Sequence, residues 1–118
     1  PDFDSIYNLC QKAYVKYLDK KIINNIKLST DIYIQSFNKL IKIPKEENSK
    51  LSVIDKNKID QNSKFVIYRT DPRLLELLLN GPRFAHWNNA EIGSHINFYR
   101  KPNIFERDVY ASMCYFHC

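Results

Sequence analysis

Seven residues between positions 86 and 95 form the densest set of polar functional groups in the chain: His86, Trp87, Asn88, Asn89, Glu91, Ser94 and His95. An imidazole, a carboxylate and a hydroxyl this close together are the parts of a nucleophilic triad, with Ser94 attacking, His86 or His95 as its base and Glu91 as the orienting acid. The spacing argues against that chemistry. Ser94 stands in Ile92-Gly93-Ser94-His95-Ile96, which lacks the Gly-x-Ser-x-Gly elbow that presents a serine nucleophile. Successive side chains on a strand face opposite ways, so His95 would turn away from Ser94. The same residues suit contact better. An indole offers a broad flat surface with one N–H, and flanking Asn and His side chains supply donors and acceptors, a combination enriched at binding surfaces. Two readings of the segment stay open. It is either a ligand or partner contact made by all seven residues, or a buried Trp87 whose polar neighbours satisfy loop backbone groups.

A second cluster ends the chain. Cys114, His117 and Cys118 place three possible zinc ligands within five residues. Structural zinc takes four ligands in a tetrahedral shell, and no fourth is evident. The expectation is an ordinary terminal helix with free thiols, and no metal or other cofactor. Cys10 is the third cysteine; an odd number without a Cys-x-x-Cys unit does not make a disulfide framework. With no charged segment leading into an apolar one at the start, a reducing, cytoplasmic location is expected.

The chain has 118 residues, 44% of them apolar and 14% aromatic, enough for one core and too few for two domains. No apolar run approaches the roughly 18 to 20 residues of a membrane span, and the aromatic content is too high for a disordered chain. The net charge of +5 raises the question of an anionic partner. Residues 1–64 hold 12 lysines against 8 acids, and the remainder 6 basic residues against 5 acids, so the excess is spread thinly among apolar positions. Tyr14, Tyr17, Tyr33, Phe37, Phe65 and Tyr68 interleave with those lysines, as in single-strand nucleic-acid binders. Most of them also fit core faces, and no nucleic-acid-binding signature accompanies them, so this partner ranks below the others.

The elements that must hold these residues are read from periodicity. Ile6, Leu9, Cys10, Ala13, Tyr14, Tyr17 and Leu18 trace an amphipathic helix over residues 4–21, with Asp4 as its cap. Ile32 and Ile34, then Leu40, Ile41 and Ile43, predict a hairpin turning at Asn38-Lys39. Residues 44–50 are a loop, and 51–54 and 65–68 two short strands joined by the polar run 55–64. Asp71-Pro72 before a leucine-rich stretch closed by Gly81 is the clearest local signal, a buried helix over 72–80. Residues 93–99 read as a strand. Asn103 and Glu106 have the spacing of a capping box opening a last helix, whose Phe105, Val109, Met113 and Phe116 share a face. Strands in one block with helices at both ends predict an α+β domain, a small mostly antiparallel sheet covered by helices.

That order, with Asp71-Pro72-x-Leu74-Leu75-Glu76-Leu77-Leu78 ending in Asn80-Gly81 and then Ala90-Glu91-Ile92-Gly93-Ser94-His95-Ile96 before a helix, resembles the sterol-carrier-protein fold. The resemblance implies an apolar tunnel between sheet and helices. Residues 81–96, Gly81-Pro82-Arg83-Phe84-Ala85-His86-Trp87 and onward to Ile96, look like the C-terminal region of certain bacterial metallo-β-lactamase-fold proteins, where a sterol-carrier-like domain follows the metal-binding one. The hydrolase's own His-x-His-x-Asp-His motif is absent from residues 1–118. The resemblance therefore implies a single accessory domain, 1–118, cut from the end of a longer protein, as the start at Pro1 rather than Met also suggests. Its expected work is non-catalytic: contact with an upstream catalytic domain, with a second copy of itself, or with an apolar small molecule. A free-standing lipid or sterol carrier is the alternative, and a single-stranded nucleic-acid module a further one.

Overall fold

The computed structural model describes residues 1–93 and 95–118. Its first helix, α1, spans Phe3–Ile23 and starts two residues earlier than Asp4 would set it. Asp2 is the cap: its carboxylate accepts from Ser5 N at 2.8 Å, while the Asp2 N–H donates to Ser5 Oγ at 3.2 Å. Asp4 instead lies in the first turn, where its charge suits the positive end of the helix. Ile6, Cys10, Ala13, Tyr14 and Tyr17 make the buried stripe.

Five strands follow in a sheet of order β3-β2-β1-β4-β5. They are β1 (Asp31–Ser36), β2 (Lys39–Ile43), β3 (Ser52–Asp55), β4 (Phe65–Arg69) and β5 (Asn97–Lys101). β1 and β2 form the expected hairpin, but Ser36 pairs with Lys39, so the turn is Phe37-Asn38 rather than Asn38-Lys39. All neighbours are antiparallel except β1 and β4, which run parallel, Ile32 opposite Val66 and Ile34 opposite Tyr68. The domain is thus α+β with a mostly antiparallel sheet.

Central strand β1 is buried on both faces, which accounts for the unbroken run of buried side chains from Asp31 to Ile34. Ile32, Ile34, Ile41, Ile43, Val66 and Tyr68 meet the helices on one face. On the other, Tyr33, Leu40 and Phe65 are covered by Ile59 from the 55–64 connection.

Helix α2, Pro72–Asn80, has the predicted ends: Asp71 accepts from Arg73 N at 2.8 Å, and Gly81 takes a φ of 121° that a side chain would strain. Leu75, Leu78 and Leu79 are buried and Leu77 is exposed. Under this helix runs the chain's end, where Cys118 N donates to Leu79 O at 2.7 Å. Three local expectations are corrected. Residues predicted as a loop before a strand form a short helix, α3 (Trp87–Ile92), and β5 starts at Asn97 rather than residue 93. The last helix, α4 (Arg107–Met113), has no capping box, because Glu106 is extended and its carboxylate accepts from Thr30 Oγ1 in the loop before β1. Phe105 consequently lies ahead of the helix and is exposed, while Val109, Met113 and Phe116 are buried. Among the described residues, no helix is long and apolar enough to cross a membrane.

Candidate functional site: the cleft between α3 and α4

Six of the seven residues singled out by type are placed, and they do different work. His86 is extended and caps α3, its Nδ1 accepting from Asn88 N at 3.2 Å. Trp87 and Ala90, three apart, make the buried face of this short helix; Asn88 and Asn89 face outward. Trp87 is 2% exposed, with Nε1 donating to Phe116 O at 2.8 Å and its ring set edge-on to Tyr68 at 5.7 Å. The contact role expected of Trp87 therefore gives way to a core role: a carbonyl satisfies its one polar atom, so the whole indole can be buried. His95 is exposed, and its backbone ties α3 to neighbouring segments, N to Ala90 O at 2.9 Å and O to Thr70 Oγ1 at 2.7 Å. It precedes β5, so strand alternation does not set its direction. Ser94 lies outside the described residues, and the nucleophile expectation with it.

Asn88 and Glu91 project from α3 into a cleft of about 230 Å³ shared with Phe105, Arg107, Tyr110, Ala111 and Cys114. Its aromatic wall is Phe105 stacked on Tyr110, centroids 4.5 Å apart and planes 13° from parallel. The Arg100 guanidinium lies 5.7 Å from the Tyr110 and Phe98 ring centroids, within cation–π range. Partial burial raises the Glu91 carboxyl above its ordinary value, against the opposing pull of Arg100. The Cys114 thiol is raised by burial and by the Glu91 charge, and donates to Tyr110 O at 3.5 Å. A thiol held protonated is a poor nucleophile. The cleft is equipped to bind: an aromatic wall with a carboxylate, an amide and the Arg107 guanidinium around it.

The terminal cluster diverges. His117 Nδ1 lies 3.4 Å from Lys16 Nζ and 3.0 Å from Cys118 O, Cys114 faces Tyr110, and Cys118 Sγ reaches Leu9 O at 3.8 Å. Among the described residues, no three His, Cys, Asp or Glu side chains gather to hold a metal ion. Of the six aromatics interleaved with lysines, Tyr14, Tyr17, Tyr33, Phe65 and Tyr68 are buried and Phe37 alone is exposed, so they do not form an open stacking platform. Tyr17, Ile32, Ile41, Leu78, Met113 and Phe116 expose no surface at the helix–sheet interface.

Sequence reasoning missed Phe105, Tyr110 and Arg100. Phe105 sits four residues before Val109, and that helical spacing assigned it to the core. Arg100 and Tyr110 carried no local signal, being brought together only by the pairing of β5 with β4 and the packing of α4. No known protein family, no curated protein and no solved structure matches this chain.

Proposed function

We propose that residues 1–118 are a non-catalytic accessory domain that binds a polypeptide partner in the α3–α4 cleft. An accessory role of this kind is what the resemblance of residues 81–96 to the C-terminal region of metallo-β-lactamase-fold proteins implies. The observation that carries the proposal is the exposure of Phe105, 62% exposed at the rim of a cleft with an aromatic wall, next in the chain to the equally exposed Ile104. A single exposed apolar residue is ordinary, whereas a contiguous apolar rim with polar groups around it marks a contact surface. The partner is the upstream catalytic domain or a second copy of the chain, and an apolar segment of it would cover Phe105 while Asn88, Glu91 and Arg107 form the polar margin.

His86 and Trp87 support this reading from behind. By capping α3 and anchoring it to Phe116, they fix where Asn88 and Glu91 stand. Phe105→Asp tests it by placing a charge on the exposed rim without emptying the core. Association with the polypeptide encoded next to residues 1–118, or with a second copy, should weaken at least about tenfold in sedimentation or titration. The thermal midpoint should stay near that of the unaltered chain. Unchanged association would remove the cleft from the interface.

A further inference from the structure

A second cleft, of about 330 Å³, lies between α1 and the loop that leads into β3, and is lined by Tyr7, Gln11, Tyr14, Lys50 and Leu51. It shares no lining residue with the α3–α4 cleft. Its form follows from helix geometry and one tie. Phe3, Tyr7, Gln11 and Tyr14 recur every three or four positions, so they stand in one row along α1. At the far end of that row the Tyr14 hydroxyl donates to Ser49 O at 2.7 Å and holds the loop against the helix. Beside Tyr7 and Gln11, among the described residues, no such bond closes the gap, and the cleft opens there.

Both aromatic sides are set by the protein's own packing. Tyr7 is half-buried and stacked on Phe3, centroids 5.9 Å apart and planes 10° from parallel, and Lys39 Nζ lies 5.0 Å from the Phe3 ring centroid. Tyr14 is backed by Tyr17, at 6.0 Å and 24°. Buried Leu51 adds apolar surface. The polar groups, by contrast, are exposed and unengaged: among the described residues no hydrogen bond holds the Gln11 amide, and no carboxylate pairs with Lys50. No acid is among the lining residues. Glu46 stands outside the lining, and adds to the upward shift that burial gives the Tyr14 hydroxyl.

We propose that this cleft binds a purine nucleoside monophosphate. Each lining group has chemistry for one part of it. A base stacks on an aromatic face, and a base entering beside Gln11 would continue the row that Phe3 and Tyr7 begin. The Gln11 amide carries a donor and an acceptor, which match the amine-bearing edge of adenine. Lys50, across from α1, brings a flexible ammonium to the phosphate. Space of this size takes one base rather than a succession of them, so the burial of most of the aromatics interleaved with lysines does not oppose it. The unit is either a free nucleotide or one nucleotide of a strand.

Titration of the purified chain, followed through its backbone amide resonances, tests the site and separates the two sources. The probes are adenosine monophosphate, uridine monophosphate, adenosine and a short oligoadenylate. Adenosine monophosphate should shift residues 7, 11, 14, 50 and 51 saturably, and adenosine should bind about threefold or more weakly for want of the phosphate. Lys50→Met should remove that difference, and Gln11→Ala the preference for adenine over uracil. Both side chains are exposed, so the thermal midpoint should stay near that of the unaltered chain. Tyr7→Leu should weaken binding at least about fivefold, while Tyr7→Phe, which keeps the ring, should not. Tighter binding of oligoadenylate, counted per nucleotide, identifies a strand as the source, and equal or weaker binding identifies the free nucleotide. The proposal is overturned if adenosine monophosphate gives no saturable shifts at these residues, or if Lys50→Met, Tyr7→Leu or uracil in place of adenine leaves its affinity unchanged.

Discussion

The Trp87 indole donates its N–H to the Phe116 carbonyl at 2.8 Å, joining α3 to the last residues of the chain. That bond is made inside the core, where Tyr68 packs edge-on to the Trp87 ring and the Phe116 ring sits edge-on to Tyr17 of α1, centroids 5.5 Å apart. One hydrogen bond thus connects the segment richest in functional groups to the packing between α1 and the central sheet. The orientation of Asn88 and Glu91 depends on it.

Trp87→Ala should cost about 3 to 5 kcal/mol, the usual loss for a large buried aromatic. Trp87→Phe keeps most of the apolar volume but leaves the Phe116 carbonyl unpaired, at about 1 to 3 kcal/mol. Urea unfolding of both variants checks the order of the two costs. Equal stability of Trp87→Ala and the unaltered chain would mean that the indole is not buried.

The leucines of α2 separate by face. Leu75→Ala and Leu78→Ala should each cost about 2 to 5 kcal/mol, whereas exposed Leu77→Ala should stay within about 0.5 kcal/mol. A flat response across all three positions in denaturant midpoint would contradict the packing of this helix.

α2 was also the most legible element in the sequence, because cap, proline, leucine pattern and closing glycine are all local to Asp71–Gly81. The α+β class followed from periodicity in the same way. α3 was not legible. Six residues are too few to form a helix from their own propensity, and Trp87 is held by Phe116, 29 positions away. The parallel pairing of β1 with β4 is equally non-local. Phe105 was misplaced because its spacing from Val109 is helical, while Glu106, engaged by Thr30, keeps the chain extended between them. The cleft's polar rim was half visible, Asn88 and Glu91 in the sequence cluster, Arg107 outside it.

Lys21 gives a prediction with a sign in pH. It is 1% exposed and its Nζ, among the described residues, has no hydrogen-bond partner, only the Tyr17 ring at 5.2 Å. Burial lowers its pKa below 10.5, with smaller opposing contributions from Glu47 and Glu46 and a reinforcing one from Lys27. The unfolded chain therefore binds the extra proton between the lowered value and 10.5, and wild-type stability contributed by this group rises with pH through that window. Lys21→Met should stabilise by roughly 1 to 3 kcal/mol at neutral pH, the cost of a buried unpaired polar group. The advantage should shrink as pH approaches 10.5. Thermal unfolding of both proteins across alkaline pH checks it, and an advantage that stays constant or grows would contradict the assignment.

The central claim is that the rim at Phe105 is covered by another polypeptide, and the most direct measurement is photo-crosslinking from that position. A benzophenone amino acid replaces Phe105 in the gene product at its natural length, irradiated in the cells that make it and mapped by mass spectrometry. Its 62% exposure leaves room for the larger ring. The account predicts crosslinks to a polypeptide segment outside residues 1–118 or to a second copy of the chain, lost when Glu91 and Arg107 are both replaced by residues of opposite charge. Crosslinks confined to the chain's own Tyr110 region, at full incorporation of the probe, would contradict it.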